Sequence, residues 1–274
     1  MKRFVFVPAG GLGNRMKGIA AAIRLAHEGQ RSLTMIWFQD WGLGCRFDQL
    51  FEPVDSDGVT LREPGLADYL LYDRPRRKNL HVPGLMQRLL FDRRMGEEEA
   101  TKRMEEGFDF GAWAKDHDVW MSSHVYFMGN DIPVDAFDIF RPIESLRERV
   151  KERLMQCGND VVGVHIRRTD NERSVRESPT EAFIAEMEKE PATTRFYLAT
   201  DDEGEKQRLR AAFPGRVVTQ AAPADRGSVN GMQDALVEMY TLAGCRKILG
   251  SSCSTFSMTA ASIGRAPLVI VRKQ

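Results

Sequence analysis

The second half of the chain alternates short apolar runs with helical stretches, and this alternation constrains the fold more than any other feature of the sequence. Strands are predicted at residues 161–166, 195–199, 217–218, 247–249 and 267–271. The helices between them are about 8 to 12 residues long, a length that can connect parallel strands. The pattern therefore predicts a parallel, doubly wound α/β domain.

Two of these helices carry start signals. Residues 178–181 read Ser-Pro-Thr-Glu, which predicts a capping box with proline at the first helical position. Asp202, followed by Glu205, predicts an N-cap for the next helix. Because capping accounts for Asp202, the neighbouring Asp201 is left without a structural role in the sequence.

The first half of the chain opens with the same pattern. Residues 3–7 predict a strand, residues 16–27 a helix and residues 33–38 a second strand. A glycine loop, AGGLGNR at residues 9–15, joins the first strand to the helix. A strand, glycine loop, helix and strand in this order indicate another parallel α/β domain.

The centre of the chain is less periodic. Residues 84–106 predict one helix, and residues 119–126 predict a strand. Pro142 opens a helix whose apolar residues recur on one face. The turn-forming residues from Gly158 onward then separate a domain of residues 1–157 from a domain of residues 158–274.

Length, charge and cysteine spacing exclude several classes of protein. The 274 residues allow two domains of about 130 residues each. The chain has 39 basic and 39 acidic residues, so no general basic excess attracts nucleic acid. It has no run of about 18 apolar residues that predicts an integral membrane segment, and its first apolar run is too short for a signal peptide. The four cysteines lack zinc-ligand spacing and are expected to be reduced thiols of a cytoplasmic protein.

Polar residues stand at the carboxyl end of the strand at residues 161–166. They are His165, Arg167, Arg168 and Asp170. Doubly wound sheets bind ligands at this edge, and guanidinium groups form bidentate bonds to phosphate oxygens. Because successive strand residues point to opposite faces, Arg167 shares a face with His165 and Arg168 does not. We therefore expect Arg167 to bind a phosphate and Arg168 mainly to support the structure.

Two loops of small residues strengthen the prediction of an anion site. GGLGNR at residues 10–15 and GSSCSTFS at residues 250–257 each lie between a predicted strand and a predicted helix. Glycine lets the backbone approach a ligand, and the amides at a helix N-terminus bind anions. The first loop matches neither a dinucleotide motif nor a Walker loop, so a tight turn is the alternative. The second has more hydroxyl groups than a helix cap requires.

Together these motifs resemble the superfamily of α1,2-, α1,6- and protein O-fucosyltransferases, and most closely its α1,6, nodulation-type branch. The shared motifs are HIRRTD at residues 165–170, YLATDD at residues 197–202, Glu238 followed by STFS at residues 254–257, and GGLGN at residues 10–14. The similarity covers most of residues 158–264 and a short N-terminal stretch, and the unmatched part lies in the middle of the first half.

The resemblance implies a GT-B fold, in which two Rossmann-like, doubly wound domains face each other across a cleft. Residues 1–157 would form the acceptor-side domain, and residues 158–274 the domain that binds the GDP-sugar donor. The implied enzyme is an inverting glycosyltransferase that moves L-fucose from GDP-fucose to a glycan hydroxyl without a metal or other cofactor. An arginine and a helix N-terminus would stabilise the charge that develops on the GDP leaving group.

The resemblance also implies roles for individual residues. Arg167 would stabilise the β-phosphate as the fucosyl bond breaks, and His165 and Glu238 would lie near the guanine. The other residues implied in donor binding are Gly11, Gly13, Asn14, Arg15, Arg168, Asp170, Asp201, Ser254, Thr255 and Phe256.

Two positions depart from the family pattern. Position 238 holds glutamate where the family has aspartate, and Asp234, one helical turn earlier, is the alternative. The base of the α1,6 branch is a glutamate several residues beyond the arginines, and that loop is shorter in this chain. Glu172 is our candidate for the base, and Glu177 is the alternative.

Two other functions fit the same residues. Phosphate-binding groups do not select the sugar, so another nucleotide sugar is an alternative donor. A nucleotide-binding protein without transfer activity is the second alternative, because the loop after the arginines is short. The basic run RPRRK at residues 74–78 suits either an anionic acceptor or a solvated loop. The sequence identifies neither the acceptor and the linkage nor the oligomeric state.

Overall fold

Two five-stranded sheets with helices packed on them form the framework of the protein. The computed structural model describes residues 1–40, 42–72, 82–129, 131–133, 135–169, 172–221 and 224–273. The chain divides into two compact units, Met1–Arg141 and Pro142–Gln274, which we call unit 1 and unit 2. No helix among the described residues is long and apolar enough to cross a lipid bilayer.

Unit 1 contains a parallel sheet with the strand order β3-β2-β1-β5-β4. Its strands are β1 (Arg3–Pro8), β2 (Ser32–Ile36), β3 (Val59–Arg62), β4 (Arg93–Met95) and β5 (Val119–Ser123). Its α-helices are α1 (Leu12–Glu28), α2 (Asp68–Leu71), α3 (Val82–Leu90), α4 (Glu97–Glu105) and α5 (Phe110–Ala114). The strand, glycine loop, helix and strand predicted at the start of the chain are confirmed.

The helix predicted at residues 84–106 is wrong, because the segment divides into α3, β4 and α4. Phe91 and Met95 are only 6% and 2% exposed, so both are buried where the chain leaves α3 and enters the sheet. The residue before α4 is Gly96, and the first turn of α4 carries three glutamates. Acidic side chains are favourable at a helix N-terminus, so the charge pattern marks a second start rather than a continuation.

Unit 2 contains a parallel sheet with the strand order β10-β9-β6-β7-β8. Its strands are β6 (Val161–Ile166), β7 (Arg195–Thr200), β8 (Val217–Thr219), β9 (Lys247–Ser251) and β10 (Leu268–Val271). Its helices are α6 (Glu144–Cys157), α7 (Glu172–Glu177), α8 (Thr180–Glu188), α9 (Glu203–Ala212), α10 (Val229–Ala243) and α11 (Thr255–Gly264). The alternation predicted from the sequence is confirmed, and α7 is an additional helix.

The structure differs from the sequence prediction at two helices of unit 2. The capping box at residues 178–181 does not form, because the Ser178 hydroxyl donates to the carbonyl of Val271 at 2.6 Å. The helix α6, which the sequence groups with the first domain, is part of unit 2. The N-cap at Asp202 is confirmed, since its carboxylate accepts from the Glu205 amide at 2.9 Å.

Candidate functional site

The carboxyl ends of β6 and β9 meet at the topological switch point of unit 2. The chain runs from β6 to β7 and β8 on one side of the sheet, and returns to β9 and β10 on the other. Ligands of open α/β sheets bind in the crevice at such a point. His165 and Arg167 stand at the end of β6, and the serine loop of residues 251–254 follows from β9 into α11.

Hydrogen bonds and a ring contact join these two segments. The Ser251 hydroxyl accepts from the Arg167 amide at 3.0 Å and donates to the His165 carbonyl at 3.2 Å. The Ser254 hydroxyl lies 3.4 Å from Nδ1 of His165. The rings of His165 and Phe256 stack, with centroids 4.9 Å apart. Residues about 90 positions apart in the sequence therefore form one connected cluster at the sheet edge.

His165 is a neutral group in this cluster. Its side chain is buried, and burial together with the positive charge of Arg167 lowers the pKa of His165 to about 3. An imidazole with so low a pKa carries no charge near pH 7. His165 can therefore stack and hydrogen-bond at the site, but it does not contribute positive charge there.

The two arginines after β6 have different surroundings. Arg168 donates to a carboxylate oxygen of Glu205 at 2.9 Å and to the Thr180 hydroxyl at 3.0 Å, which ties it to α9 and α8. Arg167 keeps 20% of its side chain exposed, and its Nε lies 3.5 Å from a carboxylate oxygen of Asp201. Arg167 is thus placed to meet a ligand, whereas the guanidinium of Arg168 is engaged in structural contacts.

Asp201 organises the backbone after β6. One carboxylate oxygen accepts from the Arg168 amide at 2.8 Å. The other accepts from the Thr169 hydroxyl at 2.7 Å and faces Arg167. These contacts hold the arginine segment in place, so in this structure Asp201 is a positioning residue for Arg167. Asp170 lies outside the described residues.

The serine loop continues into the N-terminus of α11, where Ser254, Thr255 and Phe256 lie. Ser254 is the residue before the helix, and Thr255 is its first residue. Cys253, just before them, has a φ of +54°, a left-handed backbone conformation that turns the chain sharply from β9 into the helix. The first backbone amides of a helix lack intrahelical partners, and their dipoles favour an anion. This turn therefore presents backbone and hydroxyl donors at the edge where Arg167 lies.

The surroundings of the two acidic side chains on α10 distinguish between them. Asp234 forms an ion pair with Arg149 of α6. Glu238 is partly exposed, and burial raises the pKa of its carboxyl group to about 8, although the positive charges of Lys206 and Arg153 oppose the shift. Arg153 donates instead to the side-chain oxygen of Gln220 at 2.6 Å. The structure thus favours Glu238 over Asp234 as the carboxyl group available to a ligand.

The two candidate bases on α7 also differ. Glu172 is the first residue of α7 and is exposed. Glu177 accepts from the Ser252 hydroxyl at 2.6 Å and from Nε of Arg173 at 2.7 Å. These two contacts lower the pKa of Glu177. Glu177 therefore anchors α7 to the serine loop, and its carboxylate is the weaker proton acceptor for catalysis.

The glycine loop of unit 1 is shorter than the sequence predicts, because Gly13, Asn14 and Arg15 already belong to the first turn of α1. Gly10 has a φ of +83°, which a glycine adopts readily, and Gly11 precedes the helix. Gly13 is buried, whereas Asn14 is partly buried and its side-chain oxygen has no hydrogen-bond partner among the described residues. Gly11 and Asn14 are the partly exposed members of this loop, and the side-chain oxygen of Asn14 is itself buried.

Arg15 does not occupy the position of a ligand-binding arginine. Its side chain is fully buried, and it donates to the carbonyls of Gly10 at 2.9 Å and Phe38 at 2.6 Å. It also forms a buried ion pair of 2.9 Å with Asp40. All three guanidinium nitrogens are used within unit 1, so Arg15 supports the glycine loop from beneath. The prediction that Arg15 contacts the donor is therefore wrong, because its guanidinium group is buried and bonded within unit 1.

Two members of the site were not predicted from the sequence. Lys206 lies in the highly charged helix α9, where it reads as a surface residue, but it is only 2% exposed and contributes positive charge near Glu238. Ser251 was part of a serine-rich loop, but only the pairing of β6 with β9 brings its hydroxyl to Arg167. No local sequence signal distinguishes either residue.

Comparison with known proteins shows a shared fold. No protein-family model and no curated protein sequence matches the chain. Solved structures do match. The NodZ alpha-1,6-fucosyltransferase co-crystallised with GDP has a TM-score of 0.68 and 20% identity, over 95% of this chain and 92% of that one. POFUT1 in complex with GDP-fucose has a TM-score of 0.63 and 11% identity, over 98% of both chains.

A third match is a variant of FUT1 from Arabidopsis thaliana in complex with GDP. It has a TM-score of 0.63 and 15% identity, over 100% of this chain and 71% of that one. At such identities the likeness is one of fold. It confirms at that level the resemblance inferred from the motifs: the chain shares its α/β fold, with two parallel sheets, with these three proteins.

Proposed function

We propose that the protein is an inverting glycosyltransferase that moves L-fucose from GDP-fucose to a hydroxyl group of a glycan. The observation that carries this proposal is the convergence of Arg167, the serine loop and Asp201 at the switch point of unit 2. The proteins that share the fold include fucosyltransferases crystallised with GDP and with GDP-fucose. Motifs, site geometry and fold thus support the same reaction.

In this proposal, unit 2 binds the donor. Arg167 and the N-terminus of α11 bind the diphosphate, with the donors supplied by Ser254 and Thr255. Glu238 accepts from the guanine, and His165 stacked on Phe256 forms an uncharged wall beside the nucleotide. Unit 1 provides the binding site for the acceptor.

The reaction proceeds by direct displacement. The bond between the fucosyl anomeric carbon and the β-phosphate oxygen breaks while the acceptor oxygen forms a new bond to the same carbon. The negative charge that develops on GDP is stabilised by Arg167 and the helix dipole, so no metal ion is required. The acceptor proton passes to Glu172, which we propose as the base because Glu177 is engaged by Ser252 and Arg173.

The first test replaces Arg167 with alanine. We expect transfer from GDP-fucose to fall on the order of 10²–10³-fold or more, because one preorganised donor to the leaving group is lost. Arg210→Ala on α9 is the matched control, since Arg210 is an exposed arginine of the same unit. Near-normal turnover of Arg167→Ala, with the control also active, would refute the assignment.

In the same assay Glu172→Gln should lower kcat more than Glu177→Gln.

Titration calorimetry separates the proposal from its alternatives. We expect GDP and GDP-fucose to bind and UDP-sugars not to bind. Tighter binding of another nucleotide sugar would identify that compound, instead of GDP-fucose, as the donor. Binding of GDP without transfer to any acceptor in a screen with labelled GDP-fucose would favour a nucleotide-binding protein. If no nucleoside diphosphate binds, the proposed function and both alternatives are wrong.

A further inference from the structure

Unit 1 has a group of exposed leucines, none of which is assigned to the proposed reaction. Leu66, Leu70, Leu85 and Leu89 are 90%, 63%, 61% and 74% exposed, and we call them the leucine patch. Every exposed leucine of the described residues belongs to it. Single exposed apolar residues need no explanation, but a cluster of this kind marks an interaction surface.

The packing of α2 fixes the outward direction of the first pair of leucines. Asp68 is buried and accepts from Arg62 at 2.6 and 2.8 Å, which anchors the start of α2 to the end of β3. Tyr69 packs on the core cluster that contains Val5, Val7 and Trp120. With this face turned inward, Leu70 of α2 is directed to solvent, and Leu66, in the turn before the helix, is exposed as well.

The helix α3 is arranged in the same way. Gln87 is buried, and Leu90 packs on the same core cluster as Tyr69. Leu85 and Leu89 are spaced by four residues, so they share the opposite face. Because α2 and α3 pack against each other on this cluster, both pairs of leucines are presented on the same side of unit 1.

Positive charge accompanies the leucines. Arg88 of α3 is exposed, and so is Arg94, which donates to the Gly84 carbonyl of α3 at 3.4 Å. The basic run at residues 74–78 lies outside the described residues and is not part of the patch. Leucines bordered by arginines match a surface that offers hydrocarbon and negative charge side by side.

We infer that the leucine patch docks unit 1 on the surface of a lipid bilayer that contains anionic phospholipid. The leucines enter the boundary between headgroups and acyl chains, and the cations bind the headgroups. The patch holds the protein at the membrane surface. This inference concerns a surface of unit 1 and does not depend on the proposed transfer reaction.

Sedimentation of the full-length chain with vesicles tests the inference. Vesicles of phosphatidylcholine with about 30% phosphatidylglycerol should bind the protein at least roughly tenfold more tightly than phosphatidylcholine alone. The double variant Leu85→Ser with Leu89→Ser should lower the partition coefficient by at least about tenfold, as should Leu66→Ser with Leu70→Ser. Arg88→Gln with Arg94→Gln should lower it by roughly fivefold for each charge removed, at low salt.

The matched control is Met155→Ser in unit 2, because Met155 is 65% exposed and outside the patch. It should bind vesicles like the unchanged protein. Thermal unfolding of each variant verifies that the fold is retained, which is expected because the substituted side chains are exposed. The inference is overturned if the unchanged protein does not sediment with anionic vesicles, or if the leucine variants sediment equally well. A dimer in light scattering that the leucine variants dissociate would instead assign the patch to a second copy of the chain.

Discussion

Glu238 and Asp234 lie one turn apart on α10, yet their carboxyl groups have different surroundings. Arg149 of α6 forms an ion pair with Asp234. Arg153, one turn further along α6, donates a hydrogen bond to the side-chain oxygen of Gln220. Glu238 thus shares its surroundings with the charges of Lys206, Arg153, Asp234 and Asp201, and burial still raises its pKa to about 8. Near neutral pH this carboxyl group is mostly protonated.

The ionisation of Glu238 predicts a pH dependence of GDP binding. The guanine N1 and N2 groups are hydrogen-bond donors, so they bind the carboxylate form. With a pKa of about 8, the ionised fraction rises from about 9% at pH 7 to about 50% at pH 8. Affinity for GDP should therefore increase roughly fivefold over this interval and level off above it. Calorimetry at several pH values measures the effect.

Glu238→Gln is the control for this prediction, because its amide oxygen accepts a hydrogen bond without titrating. Its GDP affinity should vary less with pH than that of the unchanged protein, and the ratio of the two affinities removes the titration of GDP itself. An identical pH profile for both proteins would show that Glu238 does not bind the guanine.

At the scale of elements, the turn from β9 into α11 combines strain with the candidate phosphate site. Cys253 has a φ of +54°, which is unfavourable for a residue with a Cβ atom. The contacts of its neighbours maintain the turn, since Ser252 bonds to Ser178 and Glu177 and Ser254 lies beside His165. Backbone strain held by surrounding contacts is frequent at ligand-binding turns.

Replacing Cys253 with glycine should relieve this strain. We expect the free energy of unfolding to rise by roughly 0.5–1 kcal/mol, because the left-handed penalty exceeds the entropy that glycine adds to the unfolded chain. Differential scanning calorimetry should show a midpoint higher by about 1–3 °C. Cys253→Ala removes the thiol but keeps the Cβ atom, so it should unfold like the unchanged protein. Equal stability of the glycine and alanine variants would contradict the role of the backbone.

At the scale of the whole molecule, α6 is part of unit 2 although it precedes the turn that looks like a domain boundary. Leu146 and Cys157 of α6 are buried, and Arg149 pairs with Asp234 of α10. A Cβ atom placed on Gly244, at the end of α10, would lie 2.7 Å from the Leu154 side chain, so α6 packs tightly there. The turn that begins at Gly158 joins α6 to β6 inside the unit.

Two fragments test this division. Residues 142–274 should unfold cooperatively on heating, because the fragment keeps α6 against α10. Residues 158–274 should lack a cooperative transition, because the fragment exposes the face of α10 that α6 covers and leaves Asp234 without Arg149. Circular dichroism and calorimetry measure both. Equally cooperative unfolding of the shorter fragment would restore the boundary at residue 158.

Much of this architecture follows from the sequence because its signals are local. Apolar periods of two and of about 3.6 residues specify strands and helices over a few neighbours, which is enough to predict the alternation in unit 2. The prediction of one helix at residues 84–106 failed because the apolar residues of this segment also fit a continuous helix. Only burial in the sheet separates α3, β4 and α4. The motifs placed His165, Arg167 and the serine loop at strand ends for the same local reason.

The sequence by itself therefore determined the fold class, the order of the motifs and the choice of Arg167 over Arg168 as the arginine proposed to bind a phosphate. Only the tertiary structure decided which charged side chains are buried and which form ion pairs. It buried Arg15 against Asp40, paired Asp234 with Arg149 and left Glu238 with a raised pKa. The physical reason is that pairing and burial depend on groups brought together from distant parts of the chain. Local periodicity carries no information about such neighbours.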